Sequence, residues 1–321
     1  MKRAKILSSG TSVPKMVVDS LDLAETSGSN YNWVLENLGS ASRRFAAEGE
    51  LTSDLAARAA KTALKAADIP IDDVQLIILA TATPDQHAPA SACKVQDILG
   101  ARNAFAFDLN AVCSGTMYAL NIATNFIKSG EVEKAVVIGA DTFSHFIDLD
   151  RRDACFFGDG AGAIVLSPSS NGEGFRNFEL CSDPVGFDAF RIEYGLKSLK
   201  GLSSEKFYEM DGAEIFSSAM KILPNFLNRF LDKNNTSLDD IDLIISHQPS
   251  KVLLSSILNE LRFDESKAVF NFEHFANTGS ATVAMACAAA MEDLRFQQAN
   301  KILFFSIGAG WTWGAGLYEK S

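Results

Sequence analysis

Two stretches of this chain repeat each other at a fixed separation, and that repeat restricts the fold more than any other feature. Asp72-Asp73-Val74-Gln75-Leu76-Ile77-Ile78 and Asp239-Asp240-Ile241-Asp242-Leu243-Ile244-Ile245 agree at five of seven positions, offset by 167 residues. The same offset joins Lys134-Ala135-Val136-Val137-Ile138 to Lys301-Ile302-Leu303-Phe304-Phe305. Any buried strand after an acidic turn can look like this, but two separated matches on one offset point to internal duplication. In the first half, helical spacing covers Ser53–Ala67 and Met117–Ile127, with apolar strands at Leu76–Leu79 and Ala135–Gly139. The second half gives helices over Ala213–Leu231 and Ala281–Leu294, and strands at Leu243–Ile245 and Ile302–Ile307. Continuous β-branched runs between helices indicate sheets covered on both faces. The Ser/Gly-rich stretch Ser167–Gly174 follows an apolar strand, Ala163–Leu166, and divides the chain into halves 1–167 and 168–321.

Composition narrows the partners. The formal net charge of −11 argues against nucleic acid or an anionic membrane. No apolar run approaches the length of a membrane span. The start, Met-Lys-Arg-Ala-Lys-Ile-Leu-Ser-Ser-Gly, has only a stub of apolar sequence and reads as a first strand and turn rather than an export signal. Five cysteines without a CxxC pair suit reduced thiols, so a cytoplasmic protein is expected. The four histidines form no ligand-spaced cluster with cysteines or acids, and no metal is expected.

Ala111-Val112-Cys113-Ser114-Gly115 follows the apolar run Ala104–Leu109 and opens a small-residue-rich helix, Thr116–Lys128. A cysteine there sits at the positive end of the helix dipole, a setting expected to lower the thiol pKa. Taken alone, an apolar-flanked cysteine is more often a packing residue. Two distant residues change the balance. His247 lies just past the strand at Leu243–Ile245, and Asn277, in Asn277-Thr278-Gly279-Ser280, precedes the helix related by the offset to the one after Cys113. Each alone is an ordinary loop histidine or turn asparagine. Together they put a thiol, an imidazole and a carboxamide at strand and helix ends, where duplicated α/β proteins gather their sites.

With these residues in hand, the chain resembles the thiolase superfamily, and within it the β-ketoacyl-acyl carrier protein synthase III family. The resemblance spans essentially the whole chain. It is carried by Ala80-Thr81-Ala82-Thr83-Pro84-Asp85, the Cys113 motif, Phe157-Gly158-Asp159-Gly160-Ala161-Gly162-Ala163, His247-Gln248, Asn277-Thr278 and Gly308-Ala309-Gly310-Trp311-Thr312-Trp313-Gly314. It implies a thiolase-like five-layered αβαβα fold of two duplicated α/β halves, and a homodimer. It further implies that Cys113 is acylated by an acyl-CoA thioester and that the Cys113 and Ala309 backbone N–H groups form an oxyanion hole. His247 and Asn277 would then support decarboxylative Claisen condensation with a malonyl thioester on acyl carrier protein, in fatty acid or specialised acyl-chain biosynthesis. Coenzyme A enters as substrate, and no separate cofactor is implied. An asparagine rather than a second histidine resembles the type III and chalcone synthase-like branches; the latter usually ends in a different loop.

By the same resemblance Trp33 and Arg151 belong to the coenzyme A site, Phe157 and Ile307 wall the acyl pocket, and Ala88 walls it from a loop that crosses the dimer. The short-chain enzymes carry a bulky residue there, so Ala88 leads us to expect a primer larger than acetyl. Other positions depart from the family. The arginine usually four residues after the tryptophan is Asn37, basic residues near the tunnel mouth are Ala213 and Ser217, and Pro249-Ser250 follows His247-Gln248. Charge attraction for an acidic carrier protein should be weaker. A second reading is an acyltransferase that moves the acyl group from Cys113 to a hydroxyl or amine of a sugar or metabolite, with His247 as base. A third, a non-catalytic scaffold, has no use for the Cys113, His247 and Asn277 set.

Overall fold

Strands that are apolar on both faces need cover on both, and helices supply it here. The computed structural model describes residues 2–192 and 207–320. The first sheet contains β1 (Arg3–Ser12), β2 (Leu76–Ala80), β3 (Phe105–Leu109), β4 (Ala135–Asp141) and β5 (Gly160–Ser169), in the order β1-β5-β4-β2-β3. The second contains β6 (Gly174–Ser182), β7 (Leu243–Ser246), β8 (Lys301–Gly308) and β9 (Thr312–Glu319), in the order β7-β8-β9-β6. The pairing senses match as well. β2 is parallel to β4, which is antiparallel to β5; β7 is parallel to β8, which is antiparallel to β9. Where the first sheet has β3, the second has, among the described residues, a bridge between Ile244 and Ala268.

Helices α1 (Thr52–Ala66) and α2 (Ser91–Leu99) cover the outer face of the first sheet, through Leu55 and Val95 on Ile77, Leu79 and Ile138. Helices α3 (Gly115–Ser129) and α6 (Thr282–Glu292) lie between the sheets and share one core with Ile78, Val137, Ile245 and Phe304. Helices α4 (Gly212–Lys233) and α5 (Lys251–Glu260) cover the second sheet, through Phe226 and Leu254 on Ile244, Leu303 and Phe305. The layers therefore run helix, sheet, helix, sheet, helix. α6, Thr-Val-Ala-Met-Ala-Cys-Ala-Ala-Ala-Met-Glu, is rich in alanine, which lets its backbone pack closely against the first sheet. At Gly162 on β5 its backbone comes so close that a methyl group would strike Ala284 and Met285.

Most boundaries shift by one or two residues from the sequence expectation, and two of the shifts have a visible cause. α6 stops at Glu292 rather than Leu294, because Leu294 takes a left-handed backbone (φ 65°) that cannot continue the helix. β5 extends through residue 167 to Ser169, since it pairs with β1 along that whole length, and the chain reverses at 170–173.

Two turns that present residues from the central layer are strained. Val112 has φ 48°, and Ala276 has φ 55° with ψ −154°, a combination suited to glycine. Each stands immediately before a polar residue singled out from the sequence, Cys113 or Asn277. Removing the Cβ at 276 should relieve this strain. Ala276→Gly is expected to raise stability by about 1 kcal/mol, read from denaturant unfolding; a loss of stability would show that the backbone there is unstrained.

Candidate active site

Cys113 lies in a 3₁₀ turn, Val112–Ser114, that leads into α3. Side-chain hydroxyls clamp that turn from three directions. Ser306 Oγ donates to Cys113 O at 2.8 Å, and Ser280 Oγ donates to Val112 O at 3.0 Å. Ser114 Oγ donates to Thr312 O at 2.8 Å, while Thr312 Oγ1 donates to Ala111 O at 2.9 Å. Gly308 closes on the same turn: a Cβ there would sit 2.7 Å from Ala111 O and 3.1 Å from Cys113 N. That closeness brings Ala309 beside the cysteine, and both residues line one cavity.

His247 continues the ladder of β7, its N–H bonding to Phe305 O at 3.0 Å. Its ring Nδ1 lies 2.8 Å from Thr282 Oγ1 at the start of α6. Asn277 is held through its backbone, its N–H on Phe156 O at 3.3 Å and its carbonyl accepting from Gly158 N at 3.0 Å. Its side-chain Oδ1 accepts the Gly279 N–H at 2.9 Å. With the oxygen so engaged, the NH₂ is the end left for a ligand. Gly279 has φ 59°, and a Cβ there would strike Phe143 and Asp141, so this turn requires glycine.

Cys113, His247 and Asn277 all line a cavity of about 410 Å³ whose walls are otherwise mostly apolar. Phe157 and Ile307 are among those walls, and Trp33, 40% exposed, lies at the mouth 6.2 Å from the Phe156 ring. None of the described lining residues is Lys, Arg, Asp or Glu. Asn37 also lines the cavity but spends its amide on Trp33 O at 3.0 Å.

Two of the residues assigned from the sequence lie elsewhere. Arg151 is outside the cavity lining: its guanidinium pairs with Asp153 at 2.5 Å, donates to Tyr208 O at 3.1 Å and lies over the Tyr208 ring. Ala88 is on an exposed loop and does not reach the cavity of its own chain. Reading the sequence missed Phe190, Phe216, Trp311 and Leu253 as walls. Trp311 belongs to a motif already noted, and an indole beside a glycine-rich loop was the available signal.

The electrostatics correct one expectation. Complete burial pushes the Cys113 thiol up, and the nearby Asp141 carboxylate pushes it further; its own backbone N–H opposes them and does not win. Desolvation thus works toward the thiol, against the thiolate that the helix dipole favours. Burial also pushes His247 down to about 3, so its imidazole is neutral. Asp141 is fully buried and accepts the N–H groups of Ala82, Thr83 and Ser280 at 2.8, 3.1 and 2.7 Å. Among the described residues no three His, Cys, Asp or Glu side chains gather as metal ligands, and no helix is long and apolar enough to cross a membrane.

Family comparisons agree with this architecture. Residues 107–184 match the model of 3-oxoacyl-[acyl-carrier-protein (ACP)] synthase III, and residues 231–320 match its C-terminal model. A β-ketoacyl-[acyl-carrier-protein] synthase III of Paramagnetospirillum magneticum is 40% identical, covering 98% of both chains. Its counterpart from Clostridium tetani is 37% identical, covering 99% of this chain and 98% of the relative. Among solved structures, the 3-oxoacyl-[acyl-carrier-protein] synthase III of Aquifex aeolicus superposes with a TM-score of 0.92 at 30% identity, covering 99% of this chain and all of that one. The enzyme from Thermus thermophilus gives 0.91 at 31% identity, with 99% of each chain covered. The chain belongs to the β-ketoacyl-acyl carrier protein synthase III family, condensing acyltransferases of the thiolase superfamily.

Proposed function

We propose that this enzyme joins an acyl group from coenzyme A to a malonyl thioester on acyl carrier protein, with Cys113, His247 and Asn277 dividing the work. One observation supports the reading above others. A thiol, a neutral imidazole and a carboxamide NH₂ line a single cavity that has no charged side chain among its described walls. His247 takes the thiol proton as Cys113 attacks the acyl thioester. The N–H groups of Cys113 and Ala309 receive the developing oxyanion; losing one such donor typically costs about 3 kcal/mol of transition-state stabilisation.

The second substrate then places its thioester carbonyl against His247 and the Asn277 NH₂. In a cavity with no Lys or Arg among its described walls a malonyl carboxylate is poorly solvated, whereas carbon dioxide and a hydrogen-bonded enolate need less solvation. Decarboxylation is favoured, and the carbanion attacks the acyl carbon on Cys113. Simple transfer to a hydroxyl or amine needs only a base; the second donor, Asn277, has a role only in enolate chemistry.

The unit we propose is a cytoplasmic homodimer built from halves 1–167 and 168–321. β3 is the open edge of the first sheet and carries a half-exposed Phe105, a strand edge suited to pairing. The exposed Ala88 loop would then wall the partner's cavity, with a small side chain that leaves volume for a primer longer than acetyl. Arg151 and Trp33 would contact coenzyme A after Arg151 exchanges its Asp153 and Tyr208 contacts for phosphate.

Incubation with acyl-CoA should add the acyl mass to Cys113, and Cys113→Ser should abolish the adduct. His247→Ala and Asn277→Ala should each slow carbon dioxide release from the malonyl thioester by roughly 100-fold; unchanged release in both would overturn the assignment. Six- to ten-carbon acyl-CoA should acylate Cys113 at least as fast as acetyl-CoA, and a strong acetyl preference would sink the longer-primer idea. Because the thiol is raised by burial, substrate-free Cys113 should react slowly with iodoacetamide at pH 7, with the rate climbing about tenfold per pH unit. Exposed Cys93 serves as the internal reference; fast, pH-independent labelling of Cys113 would contradict a resting thiol.

A further inference from the structure

Thr282 has one hydroxyl hydrogen and two short polar contacts. Its Oγ1 lies 2.9 Å from Gly279 O and 2.8 Å from His247 Nδ1. If the hydrogen pointed at Nδ1, the oxygens of Thr282 and Gly279 would face each other with lone pairs alone. If it points at the Gly279 carbonyl, Oγ1 is free to accept, and Nδ1 must carry a hydrogen to give. Only this second distribution satisfies both contacts. Both side chains are buried, Thr282 at 1% and His247 at 4% exposure, so bulk water does not offer an alternative partner.

We infer that Thr282 is a positioning residue that locks His247 in the Nδ1-protonated tautomer and leaves Nε2 bare for the cavity that holds Cys113. The inference rests on the proposed roles of Cys113 and His247 and adds the order in which the imidazole acts. It is a base first. As the Sγ–C bond forms and the C–S bond to coenzyme A breaks, the thiol proton passes to Nε2, and coenzyme A leaves as its thiolate, which solvent protonates. His247 then carries hydrogen on both nitrogens. Nε2–H can donate to the carbonyl oxygen of the malonyl thioester while carbon dioxide departs. When the new C–C bond forms and the C–Sγ bond breaks, the cysteine thiolate recovers the proton from Nε2. One proton thus leaves Cys113, waits on the imidazole through the condensation, and returns. Burial disfavours an isolated imidazolium, so the malonyl carboxylate and then the enolate supply the negative charge that holds it until the thiolate takes the proton back.

The test compares wild type, Thr282→Val and Thr282→Ser in each half-reaction. Valine keeps the shape but removes the acceptor for Nδ1–H, freeing the ring to protonate Nε2 instead. Formation of acyl-Cys113 from acyl-CoA should then fall about 100-fold, while carbon dioxide release from malonyl-CoA stays within a few-fold of wild type, and serine should restore acylation. A purely structural defect would lower both half-reactions together and show as an altered unfolding midpoint. An independent reading needs no variant of Thr282: in ¹⁵N-histidine-labelled wild type, the resonance that disappears in His247→Ala should report a protonated Nδ1 and a bare Nε2. A bare Nδ1, wild-type acylation by Thr282→Val, or parallel loss of both half-reactions without rescue by serine would each overturn the inference. If wild type itself forms no acyl-Cys113, the parent mechanism falls and this refinement with it; wild-type acylation with an indifferent valine variant removes the refinement alone.

Discussion

The two halves of the chain meet in a buried hydrogen-bonded clasp centred on Ser280. Its N–H bonds to the Asp141 carboxylate at 2.7 Å, at the end of β4. Its hydroxyl donates to Val112 O at 3.0 Å, and its carbonyl accepts from Thr116 Oγ1 at 2.5 Å. Gly139 lies directly beneath, where any methyl group would strike the Ser280 carbonyl and the Thr116 hydroxyl. This clasp ties the two related turns, Val112–Ser114 and Gly279–Ala281, to each other. Since those turns carry or adjoin Cys113 and Asn277, the geometry of the cavity depends on it. A buried carboxylate is tolerable there because backbone N–H groups from two loops solvate it.

The same burial determines the resting charge of the site. A thiol and an imidazole, each pushed toward its neutral form, avoid the cost of holding an ion pair in an apolar cavity. Charge then appears only once the acyl thioester has been attacked. This is a different arrangement from a cysteine held as thiolate by a helix dipole. The dipole of α3 favours negative charge at Cys113, while desolvation and the neighbouring Asp141 carboxylate act against it.

Much of the fold was legible in residues alone. The matching Asp72–Ile78 and Asp239–Ile245 segments foretold two equivalent buried strands, and β2 and β7 occupy those positions. The expected central helices became α3 and α6, with ends displaced by one or two residues. Cys113, His247 and Asn277 could be singled out because each interrupts or terminates a strongly apolar element. Phe190, Phe216 and Leu253 could not, since an apolar wall of a cavity and an apolar core residue have the same local pattern. Arg151 and Ala88 were beyond reach for another reason. Whether an arginine serves a ligand or a neighbouring Asp153 and Tyr208 depends on what folds beside it.

Periodicity and repetition are local properties, and they determined the duplicated α/β architecture, the central pair of small-residue helices and the junctions where chemistry gathers. Protonation and orientation are not local. That Cys113 is pushed toward the thiol, that Asn277 turns its NH₂ outward, and that His247 bonds through Nδ1 to Thr282, 35 residues away in sequence, all follow from burial and from partners on other elements. A sequence records which groups can give or take a proton. Desolvation and hydrogen-bond geometry, which exist only once the layers have packed, decide which of them does.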